Sequence, residues 1–420
     1  MSGSRLALIV SSVAMAALPA MAAAHAASPR DNAVYRAVEA NRTGAIELLK
    51  SIVDVDSGTG DVAGGTAVEA VLLKRLEGLG ATVRSETSEV PDLPPSVVAV
   101  FKGLGHARIL IIAHIDTVFP PGTVAARPFS IDGNRAHGPG VGDEKAGVVA
   151  ALTALKILHD LGFKDYATIT LLLDNSEERG SPGSAKLIKT LVKQNDVEFN
   201  MEPGDPPDSL TVWRKGSANI RVRVHGRAAH AGMAPQEGRN AAAELVHQLT
   251  ALEESFPHSG AGTTVNLTLL AGGERSNIIP ADAEATLNVR FRRAADFDEV
   301  LTKIKDAATR TTVPGTTVSI DYDPAYPPLT ENAAIDALAA RAQSIYQELG
   351  KSLATSGNGG ASESAIAMSE GTPALDGLGF VGSDFHTDQE WIDLDSVTPR
   401  LYLLTRLLME TARKLPVHEN

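Results

Sequence analysis

The chain has 420 residues, 43% of them hydrophobic and 21% charged, enough for two or three globular domains. A net charge of −13 without a basic run excludes nucleic acid and anionic membrane surfaces as partners, because both reward clustered Lys and Arg, and leaves small-molecule or peptide substrates. The absence of cysteine excludes disulfides and thiolate ligands, so any metal falls to His, Asp and Glu.

The opening "MSGSRLALIVSSVAMAALPAMAAAHAASPR" carries Arg5, an alanine-rich apolar run and a small-x-small site from Ala24 to Ala26. It reads as a secretory signal over residues 1–26, cleaved before Ala27, and predicts a periplasmic or secreted protein. From there "NAVYRAVEANRTGAIELLKSIVDVDS" and "GGTAVEAVLLKRLEGLGA" show helical spacing, and "TVRSET", "PSVVAVFKG" and "ARILIIAHIDTV" read as strands. The helix "KAGVVAALTALKILHDLG" precedes "TITLLLDNSEERGSPGS", whose unbroken apolar run suits a strand buried on both faces. This alternation predicts an α/β fold around a mostly parallel sheet.

Near residue 216 the pattern changes, since "SANIRVRVHGR" alternates as a half-wet strand does. A helix over 239–255, strands over 263–272 and 281–292, a helix over 296–311 and a strand over 316–323 follow. That β-α-β-β-α-β order is ferredoxin-like. The expected organisation is a catalytic domain in two parts, 27–215 and 325–420, with a lid and dimerisation domain over 216–324. A last amphipathic helix spans 396–415.

Hard ligands recur at predicted strand ends. His114 and Asp116 in "AHIDTV" lie two apart on one face, so Asp116 can hold the imidazole in a ligating tautomer. Asp143 follows a glycine-rich approach in "GPGVGDEKAG", Glu202 ends "VEFNMEP", His386 lies in "SDFHTDQEW", and Glu177 and Glu178 close the central strand. Each signal alone is weak, but open α/β sheets gather ligands at the carboxyl ends of their strands. This set can hold two zinc ions if one carboxylate bridges them, which leaves one glutamate as a base.

These motifs, with "AAHAG", "SNIIPADAEATLNVRF" and "FHTD" in order, resemble the zinc-dependent exopeptidases and amidohydrolases. That family includes bacterial glutamate carboxypeptidase, aminoacylase and succinyl-diaminopimelate desuccinylase. "DYATITLLLDNSEERGSPGS" is similar to the glutamate carboxypeptidases in particular. The resemblance implies Asp143 bridging two zinc ions, His114 and Glu202 completing one site, Glu178 and His386 the other, and Glu177 as general base. It implies a cis peptide at Asp143–Glu144, a homodimer through the inserted domain, and His230 reaching the partner's site to stabilise the oxyanion. It also implies Asn277 and Arg290 as substrate contacts. Two departures bear on substrate: Tyr326 stands where glutamate carboxypeptidases carry a second carboxylate-gripping arginine, and Glu363 stands where the glycine-rich loop "NGGASESA" otherwise has aspartate. The leading expectation is a carboxypeptidase; an N-acyl amino acid amidohydrolase or dipeptidase is the alternative, and a non-catalytic binding protein the third.

Overall fold

A computed structural model describes residues 28–414. The expected signal segment, residues 1–26, lies outside the described residues. Among those described, no helix is long and apolar enough to cross a membrane.

The main sheet has six strands, in the order Thr82–Glu86, Ser96–Lys102, Thr168–Asp174, Arg108–His114, Val197–Asn200 and Ala374–Leu375. The first two pairings are antiparallel and the remaining three parallel. Alternation along the central strands explains the layers on both sides. Ile109, Ile111, Leu171 and Leu173 face one core, closed by the helices Asn32–Val53, Lys145–Asp160 and Val397–Lys414. Leu110, Ile112 and Leu172 face the other, packed against Ile188 and Leu191 of the helix Ala185–Gln194 and against Ile366 of Ser364–Ser369. The central strands are therefore buried at every position after the first, as the unbroken apolar run in the sequence indicated.

A second sheet of four antiparallel strands follows the order Thr264–Gly272, Asp282–Phe291, Gly216–His225, Thr317–Tyr326. The helices Ala241–Glu253 and Ala294–Ala308 close its core through Leu245, Phe297, Val300 and Ile304 against Ile220, Val222 and Val289. The order along the chain is β-α-β-β-α-β. The last strand runs to Tyr326, past the predicted end at 323. Pro324 is tolerated because this strand lies at the sheet edge and its pairing is interrupted between Pro324 and Tyr326.

Candidate metal centre

The carboxyl ends of the parallel strands converge on one point. His114 ends its strand, the turn Glu177–Arg179 follows Thr168–Asp174, and Glu202 follows Val197–Asn200. Asp143 arrives from the loop before Lys145–Asp160, and the Asp143–Glu144 peptide is cis, as expected. The glycine-rich approach is held by Glu390, whose carboxylate accepts the amides of Gly140, Gly142 and Asp143 at 3.1, 2.8 and 3.0 Å. Gly142 is required there, since a β-carbon would lie 2.5 Å from the Phe385 ring. His386 has φ of 62°, uncommon outside glycine, in a turn tied by Trp391 Nε1 donating to Asp384 at 2.8 Å.

Asp143 turns one oxygen to each imidazole: Oδ1 lies 3.0 Å from His114 Nε2 and Oδ2 lies 3.1 Å from His386 Nε2. Glu202 stands 3.7 Å from His114 Nε2, and Glu178 stands 3.2 Å from His386 Nε2. Two trios result, His114–Asp143–Glu202 and Asp143–Glu178–His386, each with its ligand atoms within 4.8 Å of one another. Nitrogen and oxygen donors about 2 Å from a tetrahedral zinc lie about 3.3 Å apart, which these distances bracket.

The charge balance agrees with a cation in each trio. Burial, and then Glu363, pushes Glu177 well above the usual carboxylate range; burial, and then Asp143, raises Glu178. Burial carries Glu202 up to about 8 even though Arg214 opposes it. Hydrogen bonds to Asp143 and Glu178 push His386 up to about 11. Burial disfavours a charged His114, yet Glu144 and then Asp116 and Asp143 outweigh it and hold it well above its ordinary value. Glu178 Oε1 is buried with no hydrogen-bond partner, an acceptor left for a cation.

Asp116 meets the imidazole of His114 through its main chain as well as its side chain. His114 Nδ1 lies 2.9 Å from the main-chain oxygen of Asp116 and 3.5 Å from its carboxylate. The carbonyl therefore fixes the tautomer, because it offers the shorter bond. The carboxylate instead accepts Thr59 Oγ1 at 2.6 Å and the amides of Glu177 and Glu178 at 3.1 and 3.3 Å, so it holds the turn that carries both glutamates.

Glu177 lies outside these two trios, buried, and forms a third group with Glu202 and Glu363 whose oxygens also lie within 4.8 Å of one another, all of them acidic and without an imidazole. Arg290 lines the cleft of about 420 Å³ above the centre, and so does Tyr326, whose hydroxyl is 2.6 Å from Ser181 Oγ. Glu363 is buried behind the cleft, where Asn200 Nδ2 donates to it at 3.2 Å. His230 and Asn277 do not line this cleft. They sit together elsewhere on the small domain, with the Ala231 amide donating to the Asn277 carbonyl at 2.9 Å and His230 exposed.

Sequence reasoning missed Arg214. It is buried, donates to Glu202 at 3.1 Å, and grips Asp376 with two bonds of 2.7 and 2.9 Å. Asp376 also accepts the hydroxyls of Ser362 and Ser364, each at 2.6 Å. The one available signal was an arginine closing the otherwise buried strand "SLTVWR". Replacing Arg214 with methionine strands two buried carboxylates and is expected to lower the unfolding free energy by about 3–5 kcal/mol in denaturant titration. A loss below about 1 kcal/mol would mean the ion pair is replaceable.

Comparison with known proteins gives a consistent answer. Residues 110–410 match peptidase family M20/M25/M40. Carboxypeptidase G2 of Pseudomonas sp. (strain RS-16) is 33% identical over 387 residues, 91% of this chain and 93% of its own length. Succinyl-diaminopimelate desuccinylase of Methylorubrum extorquens (strain PA1) is 26% identical over 378 residues, 84% of this chain and 96% of its own. In fold alone, a tripeptidase of Staphylococcus aureus subsp. aureus Mu50 superposes with a TM-score of 0.74 at 21% identity, over 89% of this chain and 99% of that one. Matched over most of its length and a third identical to a relative it spans almost end to end, the chain belongs to peptidase family M20/M25/M40 and is an enzyme of the metallopeptidase and amidohydrolase class.

Proposed function

We propose that the protein is an exported di-zinc carboxypeptidase that hydrolyses the amide bond to a C-terminal amino acid. The observation that carries the reading is the divided Asp143 carboxylate, one oxygen toward each imidazole. His114, Asp143 and Glu202 would hold one ion, and Asp143, Glu178 and His386 the other. Ions bound there would polarise the scissile carbonyl and lower the pKa of an attacking water. Glu177 would take the proton from that water and return it to the leaving nitrogen; it is buried and adjoins the first trio through Glu202. Arg290 offers a planar fork to a carboxylate. N-acyl amino acid hydrolysis on the same site is the second reading, supported by the relatives that are desuccinylases.

The test is hydrolysis of N-acyl and dipeptide substrates ending in different residues, before and after chelation and with zinc restored. Turnover that vanishes and returns supports the reading, while turnover indifferent to chelation ends it. Export is checked by fractionation and N-terminal sequencing, which should find the mature chain outside the cytoplasm beginning at Ala27.

A homodimer through the small domain is part of the proposal. The edge strand Thr264–Gly272 leaves Leu267, Leu269 and Leu270 42%, 66% and 60% exposed, an apolar margin of the kind an interface covers. His230 and Asn277 would then act on the partner's cleft, since they do not line their own. Mixing His230→Ala subunits with Glu177→Ala subunits under exchange should therefore restore activity, to about a quarter of wild type, because half the dimers are mixed and each has one complete site. No restoration would place His230 outside the reaction.

A further inference from the structure

Three arginines line the cleft among the described residues, and of the two without a carboxylate partner there only Arg290 rises from the small sheet. Arg214 is closed on Asp376 and Glu202. Arg179 lies on the exposed rim and donates to the Thr59 carbonyl at 2.9 Å, beside a neighbouring groove. Arg290 is half-buried, and the bond it makes is from Nε to the side-chain oxygen of Asn288, at 3.0 Å. Nearby Lys215 does not line the cleft and donates to the Gly260 carbonyl at 2.6 Å.

The surface around Arg290 follows from strand register. Arg290 pairs with Ser217, and Ser217 pairs on its other side with Tyr326, so the three form a row on one face of the small sheet. Two residues along, Asn288 pairs with Asn219, their amides 3.0 Å apart, and Asn219 pairs with the exposed Asp323. The patch therefore holds one cation, a hydroxyl, two amides and a phenol, with an anion at its outer end. One carboxylate is satisfied there. A second would be desolvated against neutral groups and near Asp323, which is costly for an unpaired charge.

We infer that the cleft selects a C-terminal residue whose side chain bears no negative charge, with Arg290 engaging the α-carboxylate and Ser217, Asn219, Asn288 and Tyr326 forming the neutral wall against the side chain. This rests on the carboxypeptidase reading above and names its substrate class.

The experiment uses the zinc-loaded mature protein and N-benzoyl amino acids matched in shape: glutamine against glutamate, asparagine against aspartate, and benzoyl-glutamine with its carboxylate converted to an amide. The expected kcat/KM is at least about tenfold higher for glutamine than glutamate and for asparagine than aspartate, with the amidated compound at least about a hundredfold poorer. Calorimetric binding of the same pairs to Glu177→Gln, which separates recognition from turnover, should follow the same order. Asn219→Lys, which adds a second cation beside Arg290, should move the glutamine-to-glutamate ratio at least tenfold toward glutamate. Glutamate equal to or better than glutamine in the wild type overturns the inference and leaves the carboxypeptidase reading standing. If the amidated compound is cleaved as well as the free acid, the reading itself falls and this inference with it; if no compound is cleaved, the inference falls and the panel of N-acyl and dipeptide substrates above decides the reading.

Discussion

Replacing Glu177 with glutamine is expected to lower kcat by about 10²–10⁴ while metal content stays at the wild-type level. The substitution keeps the volume and the hydrogen-bonding capacity of the side chain but cannot accept and return a proton. The turn would hold its shape, because its placement comes from main-chain groups: the amides of residues 177 and 178 on the Asp116 carboxylate, and the Gly180 amide on the Glu177 carbonyl. Glu178→Gln should behave in the opposite way, since Glu178 faces His386 in a trio and its loss removes a ligand. Steady-state kinetics beside elemental analysis separates the two. Activity within tenfold of wild type in Glu177→Gln would move the base to another group, with Glu363 the first candidate because it shares a cluster with Glu177 and Glu202.

The sequence brought the candidate ligands together best where they stand at the ends of strands. His114, Glu177, Glu178 and Glu202 each close or directly follow an apolar run, and the parallel pairing of those runs brings their ends together. The β-α-β-β-α-β order was legible because its strands alternate in polarity while those of the main sheet do not. What could not be read is the support. Arg214 and Asp376 are 162 residues apart, and Glu390 and Gly142 are 248 apart, so no local pattern pairs them. The further tasks of Asp116 were hidden for a related reason. Spacing of two put its side chain on the face of His114, but the strand ends at His114, the main chain turns, and the carbonyl comes closer to the imidazole than the carboxylate, which also holds the glutamate turn. His230 was read only from resemblance; it lies exposed on the small domain, and no spacing in the sequence marks it.

Asp143→Ala is expected to cause the largest loss, removing both metals and bringing hydrolysis to background. Every other ligand belongs to one trio; Asp143 belongs to both, with separate oxygens at 3.0 and 3.1 Å from the two imidazoles. Without it each side retains one histidine and one glutamate, two donors short of a tetrahedral shell instead of one, and both trios fail together. The loss should be chemical and not a failure of folding. Glu390 holds the loop through the amides of Gly140, Gly142 and residue 143 itself, none of which needs the aspartate side chain. Asp143→Asn gives the graded control: its single carbonyl oxygen can serve one trio, so it should keep about one ion per subunit where the alanine variant keeps none. Elemental analysis per folded subunit, with thermal unfolding in chelator to show that the metal-free forms of wild type and variants melt within a few degrees of one another, reads both points. Two ions retained by Asp143→Ala would show that the carboxylate does not bridge, and the centre would then be two independent sites.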